Sequence, residues 1–303
     1  MQEIKNNDLA SDLVKDILKE KRSDRLWKNI RFVAWFALII YIAVHIFNLM
    51  HGSIPAEMEG KYTALIRLDG MIAPGRDFSS DNIVPILQEA FSDKAALGVV
   101  IDINSPGGTP VQAAIIHDVI LYYKNKYHKK VIVVGEDMLT SGAYYVAVAA
   151  DKIYVNPNTL TGSIGVVMKG FGFVDLMKKL GVERRVYISG TDKDRLDPFL
   201  PQTAEDLAKV HEVMSEVHQN FAQAVLNGRK GKLKGDPKQL FTGDFWSGQT
   251  ALKLGLVDGL GNLTDVMQSE FKTTRYKEYG ATSSVFKLLS GQLTNAVDNF
   301  VYS

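Results

Sequence analysis

Between Tyr62 and Phe271 short apolar, β-branched runs alternate with longer segments of helical periodicity, and this alternation restricts the possible folds more than any other feature of the chain. Residues 64–68, 97–103, 130–134, 152–155 and 185–189 have the composition of strands. The second and third are almost continuously apolar, as strands covered on both faces are. Residues 83–91, 111–123, 174–180, 203–226 and 248–254, and a segment from about Leu263, carry apolar residues at helical spacing. Pro85 is tolerated because it falls in a first turn. The alternation implies an α/β domain with a mainly parallel sheet. Right-handed crossovers then bring loop tips and helix starts to one edge of that sheet.

One of those loop tips carries chemistry. The run Val131-Ile132-Val133-Val134 stops at Gly135, and residues 143–150 read as a small-residue helix, so Ser141 stands where a strand gives way to a helix. Gly142 after it has no β-carbon to obstruct a second molecule. The first N–H groups of a helix lack internal partners. A hydroxyl beside such donors has what acyl transfer needs, a nucleophile and a site for the oxyanion. An N-cap serine that only satisfies the helix start uses the same residues.

Residues 32–50 form an apolar run interrupted by Tyr41, His45 and Asn48, long enough to cross a hydrocarbon core of roughly 30 Å. No small-x-small cleavage site closes it, so it reads as one retained transmembrane helix. Lysines and arginines gather before it, while Glu57 and Glu59 follow it. The positive-inside rule therefore places residues 1–31 in the cytoplasm and the rest of the chain, after the cell (inner) membrane, outside it. Residues 9–18 have the spacing of a short amphipathic helix, 51–60 read as a linker, 61–271 as the folded domain, and 272–303 as a tail with amphipathic character. The net charge of +1 gives no reason to expect nucleic acid. The absence of cysteine excludes thiolate catalysis, zinc–thiolate sites and disulfides, and no metal or cofactor is expected.

A serine nucleophile needs a base. His117 and His128 precede it within a helix and the following turn, and His211 and His218 lie along the 203–226 helix; none follows a strand directly. A lysine serves where its amine is kept neutral by burial, far from its ordinary pKa of about 10.4. Lys193 closely follows the strand-like run 185–189, in a loop where catalytic groups often sit.

Five motifs in order are Asn104-Ser105-Pro106-Gly107-Gly108, Thr140-Ser141-Gly142-Ala143-Tyr144-Tyr145, Thr161-Gly162-Ser163-Ile164-Gly165, Ser189-Gly190-x-x-Lys193-Asp194 and Phe241-x-Gly243-x-x-Trp246-Ser247-Gly248. Together they resemble those of the signal peptide peptidase A family of S49 serine peptidases, in its short form. The resemblance covers residues 62–271. It implies a Clp-protease/crotonase-like fold and a Ser–Lys dyad, in a membrane-anchored enzyme that cleaves remnant signal peptides within or near the membrane. Position by position, Ser141 matches the nucleophile, Lys193 the general base and Ser163 a hydroxyl that holds the lysine. Gly107, Gly108 and Gly142 match the oxyanion hole. Around the lysine the chain departs from the family pattern: Leu196 and Asp197 replace a glycine and a small residue.

The resemblance further implies apolar peptide substrates, the membrane as a partner, and a ring-like homo-oligomer whose sites neighbouring subunits complete. Two other functions use the same fold: a catalytically inactive membrane scaffold or binding module, and a crotonase-type acyl-CoA enzyme, which needs no serine–lysine pair.

Overall fold

The computed structural model describes residues 27–45 and 61–280. The expected linker, the amphipathic helix at residues 9–18 and the tail beyond 280 lie outside the described residues. Helix α1, Trp27–His45, has a mean hydropathy of 1.5 and is long and apolar enough to cross a membrane. It starts before the expected boundary at Phe32, because helical hydrogen bonding is indifferent to where apolar side chains begin. Arg31 Nε, for instance, donates to Trp27 O at 3.4 Å. Residues 46–50 of the expected span lie outside the described residues.

The second unit, residues 61–280, is the α/β domain. Strand β1 (Tyr62–Asp69) is followed by helix α2 (Ser80–Ser92), β2 (Ala96–Ser105), α3 (Pro110–Tyr127) and β3 (Lys130–Thr140). These three strands pair in parallel, with Ile66 beside Ile101 and Ile101 beside Val133. Helix α4 (Gly142–Ala147), β4 (Lys152–Val155) and β5 (Leu160–Gly162) come next. After them lie α5 (Val174–Leu180), α6 (Ala204–Gly228), α7 (Pro237–Leu240), β6 (Phe245–Ser247), α8 (Gly248–Leu254), β7 (Gly259–Leu260), α9 (Leu263–Phe271) and β8 (Tyr276–Tyr279). The sheet runs β6-β5-β3-β2-β1-β8, with β4 on β3 and β7 on β4; only β5 and β6 pair antiparallel.

Both faces are covered, as the continuous apolar strands require. On one face Leu65, Val100, Ile132 and Val134 pack with Val266 and Met267 of α9. The alternate residues Ile66, Ile101 and Val133 are equally buried and turn to the other face, where α2 lies against β1 and β2 and packs with α3.

Five local expectations differ. Helix α2 begins at Ser80, so Pro85 stands inside it and not in its first turn, with no N–H to give the carbonyl four residues before it. Strand β3 does not stop at Gly135. A register shift after the Ile103–Gly135 pair carries it on to pair Ser105 with Leu139, and β5 replaces β4 as its outer neighbour. Helix α4 ends at Ala147, three residues short of the expected 150, where Val148 and Ala149 turn. Residues 185–189 form no strand: no neighbour offers a ladder, and β-branched composition alone does not make one. The domain does not close at Phe271, since the polar run after it forms β8 and pairs in parallel with β1. Composition hid β8 because it is an edge strand exposed along much of its length.

Helix α9 is fastened by a charge cluster at its end. The Glu270 carboxylate, 8% exposed, accepts from Lys130 at 2.5 Å, from Lys152 at 2.8 Å and from the Tyr154 hydroxyl. Burial alone would raise its pKa, but these donors outweigh it and hold the group at about 2. A depressed carboxylate contributes stability above its unfolded pKa of about 4.3 and loses it as pH falls through the folded value. Glu270→Gln should therefore lower the unfolding free energy by about 1–3 kcal/mol at neutral pH, read by urea titration. The deficit should shrink as pH approaches 2; a deficit independent of pH would contradict this.

Candidate active site

Ser141 lies between the last residue of β3 and the first of α4, and the chain must reverse there within one residue. Its backbone takes φ 54° and ψ −125°, a region that side chains with a β-carbon avoid. Two bonds hold it there. Ser141 N–H donates to Gly162 O at 2.8 Å, and Ser141 O accepts from Tyr145 N–H at 3.0 Å. The turn lifts the serine clear of the strand and leaves it half-buried, whereas Thr140 and Gly142 on either side are buried. Its side chain makes no capping bond to α4, so the simple N-cap role does not describe it.

The glycine turn after β2 comes to meet it. A β-carbon on Gly107 would sit 2.6 Å from Gly142 N and 2.7 Å from Ser141 Cβ, and Gly107 has φ +96°; no other residue fits. Gly107 N–H donates to Ser105 Oγ at 3.1 Å, and Gly107 O accepts from Ile72 N–H at 2.9 Å. The turn is pinned on its far side as well, where Thr109 N–H donates to Ile72 O at 2.9 Å. Between these fixed groups the exposed Gly108 presents its N–H. A β-carbon on Gly142 would approach Gly108 N to 3.1 Å, so the two amides are neighbours. Gly142 N–H is the first of α4 and has no acceptor within the helix. No acceptor for the Gly108 or Gly142 N–H is found among the described residues, while the N–H of Gly107 is already used and its part is to allow the close approach.

Ser163 is brought alongside by strand pairing. Thr140 pairs with Gly162, so Ser141 and Ser163 each stand one residue beyond the last pair. Ser163 has φ 53°, and its N–H donates to Asp244 O at 2.8 Å. The fifth sequence motif explains how. A β-carbon on Gly162 would strike the Trp246 ring at 2.6 Å, and one on Gly165 would lie 2.7 Å from Gly243 Cα. The two motifs interlock through glycine, and β6 fixes the turn that carries Ser163. Asp244 and Ile72 escape a reading of the sequence, because their roles run through backbone groups, and Ser105 stands in the first motif without the role its hydroxyl plays.

Lys193 is bonded to none of these groups. It lies exposed in the arm between β5 and α6, and among the described residues its side chain makes no hydrogen bond or ion pair. The arm is braced within itself and against the first turn of α6. Phe173 N–H donates to Pro198 O at 2.7 Å, Phe173 stacks on Phe199 with centroids 5.3 Å apart, and Arg195 pairs with Asp206 at 3.0 Å. No residue of α5 is buried, and Phe171 and Tyr187 are 82% and 90% exposed. The chain therefore gathers Ser141, Ser163, Gly107, Gly108 and Gly142 but not Lys193.

The model of peptidase family S49 matches residues 123–277, from the end of α3 to β8. The chain belongs to that family. The 123–277 match takes in Ser141, Ser163 and Lys193. Among its relatives is a protein of Brucella melitensis biotype 1 named Na(+)/H(+) antiporter NhaA, 44% identical over 231 residues that cover 74% of this chain and 31% of that protein. Protease 4 of Haemophilus influenzae is 30% identical over 225 residues, 73% of this chain and 35% of that protein. The chloroplastic serine protease SPPA of Arabidopsis thaliana is 27% identical over 213 residues, 66% of this chain and 31% of that protein. The chain thus spans about a third of the length of these relatives.

Backbone strain at Ser141 makes a test independent of any substrate. Replacing a residue by glycine normally costs stability relative to alanine. At φ 54° and ψ −125° the order should reverse: Ser141→Gly should be more stable than Ser141→Ala by about 1 kcal/mol in thermal or urea unfolding. If alanine were the more stable, the turn would not be strained as described.

Proposed function

We propose that this S49 chain is a membrane-anchored serine endopeptidase working through a Ser141–Lys193 dyad, with Lys193 supplied by a neighbouring copy in a ring-like homo-oligomer. The Ser141 turn carries this reading: a strained serine pressed between two free amides and a second hydroxyl has an arrangement that packing alone does not require. Its substrates are remnant signal peptides or other short apolar peptides released in the membrane. Met71, Val111 and Phe245, all more than half exposed, border the site: Met71 precedes the residue that pins the glycine turn, Val111 lies in the first turn of α3, and Phe245 pairs with Gly162. An apolar rim of this kind suits an apolar, extended peptide. The anchor is α1, with the N-terminus in the cytoplasm and the catalytic domain outside the cytoplasm.

In the proposed reaction a neutral Lys193 amine takes the Ser141 Oγ proton as Oγ attacks the scissile carbonyl carbon. Gly108 and Gly142 N–H groups stabilise the oxyanion, an effect worth several kcal/mol. The ammonium then protonates the departing amine, and water hydrolyses the acyl-enzyme by the reverse proton path. Ser163 accepts from the incoming lysine and aims it. Burial between copies supplies the dry setting an uncharged amine needs, which an exposed position in a single copy lacks. The arm's apolar surface, including Phe171, Leu180 and Tyr187, gives such an interface its driving force.

Complementation tests this. Ser141→Ala and Lys193→Ala chains should each fold, assemble and fail to cleave an apolar reporter peptide, with losses of at least about a thousandfold. Assembled together, they should regain part of the activity, because one copy's serine then meets another's lysine. A mixture that stays inactive while the unaltered chain cleaves would refute the shared dyad. Cleavage by either variant alone would refute the dyad itself.

A further inference from the structure

The net charge of +1 conceals a strong polarity. Strands β1, β2, β3, β4 and β8 run parallel, so all begin at one edge of the sheet. Helices α2, α3 and α9 return to that edge and end there. The chain after α6 joins them, because Lys232 Nζ donates to Asp151 O, just before β4, at 3.0 Å. The starting edge therefore collects Lys61, Lys94, Lys126, Lys230, Lys272 and Arg275, all exposed and none in an ion pair among the described residues. Most carboxylates at the same edge are engaged by donors or cations, although Asp151 is itself exposed. Asp93 accepts from Tyr62 at 2.5 Å and from Tyr279, Asp151 pairs with Lys124 at 3.2 Å, and Glu270 is held by its two lysines. Glu89, in the last turn of α2, is left exposed among the cations.

The finishing edge, which carries Ser141, has the opposite character. A cavity of about 700 Å³ there is lined by Asp102, Glu136, Asp137 and Asp265. Burial first, and then the crowding of Glu136, raises Asp102 to about 7 against the pull of Arg67. The ten residues of β2 separate the two edges by about 33 Å.

We propose that the basic starting edge docks on the anionic headgroups of a lipid bilayer. This rests on the membrane-anchored reading of α1. Three observations favour a bilayer. The chain enters the domain at Lys61, on this edge, after residues 46–60, which reach at most about 50 Å from the end of α1. The cations are spread across the ends of four helices and the starts of two strands, as a planar charged surface needs, rather than gathered in a cleft. Tyr122, 59% exposed, lies beside them with Lys126 Nζ 5.6 Å from its ring and 5.2 Å from that of Tyr127. Amphipathic rings and long basic side chains of this kind settle at headgroup depth. With that edge on the bilayer, the acidic edge and Ser141 face away from it. A peptide then reaches Ser141 only after it has left the hydrocarbon core.

The absence of cysteine allows a single introduced reporter on the full-length chain. Ala95→Cys marks the basic edge and Asn158→Cys the acidic edge, each carrying a bimane fluorophore quenched by nitroxide-headgroup lipid. In vesicles of phosphatidylcholine with phosphatidylglycerol, the label at residue 95 should be quenched about threefold more than in phosphatidylcholine alone. Salt near 1 M, where the Debye length falls to about 3 Å, should remove the difference. So should the combined substitutions Lys94→Glu, Lys126→Glu and Lys272→Glu. The label at residue 158 should stay unquenched throughout. Equal quenching at residue 95 in both lipids, or quenching at residue 158, would overturn the proposal. Flotation with the vesicles reports the anchor separately: a chain that floats without selective quenching keeps its anchor and loses the docking edge, and a chain that does not float loses both.

Discussion

The bond from Ser141 N–H to Gly162 O holds the site together. It ties the end of β3 to the end of β5 at 2.8 Å and fixes the serine in a backbone conformation that costs about 1–3 kcal/mol. Everything near it serves to keep that conformation. Gly107 is a glycine because any β-carbon would collide with Ser141 and Gly142, and Gly162 is a glycine because any β-carbon would meet Trp246. The switch of β3 from β4 to β5 as its neighbour, through the register shift past Gly135, makes the bond possible. A strand that stopped at Gly135 would leave Ser141 far from Gly162.

Much of this was legible in the sequence for a physical reason. Strands covered on both faces must be apolar throughout, so β2 and β3 stand out, and helices with one buried face repeat at helical spacing, so α2, α3 and α6 do too. Thr203, the first residue of the expected helix, caps α6, with Asp206 completing the reciprocal pair. Tight turns select glycine, so the turns that build the site were visible in the sequence, and the resemblance to the family gave them their expected roles. What escaped is what composition does not encode. Strand β8 lies at an edge with exposed, polar residues, and 185–189 is β-rich without a neighbour to pair with. Gly107 N–H is spent on Ser105 Oγ, a detail that distinguishes it from the adjacent Gly108.

The position of Lys193 gives the account its shape. An α/β sheet gathers groups that follow its strands, and Ser141, Ser163 and Gly108 all follow strands. Lys193 follows a segment that has left the sheet, on an arm with no buried helix residue and large apolar side chains in water. Such a surface is costly for one copy and useful between copies. The same separation runs through the charges. Unpaired lysines gather where the strands start and an acid-lined cavity lies where they finish, so the domain has a basic end and an acidic end, the latter carrying Ser141, about one strand length apart.

The most direct test of the central claim is covalent labelling of the full-length, assembled chain with a fluorophosphonate, with the modified residue located by mass spectrometry. The account predicts modification at Ser141 in the unaltered chain and its loss in Lys193→Ala, with folding and assembly intact in both. No label at Ser141 in a folded, assembled sample, or a label indifferent to the loss of Lys193, would contradict it.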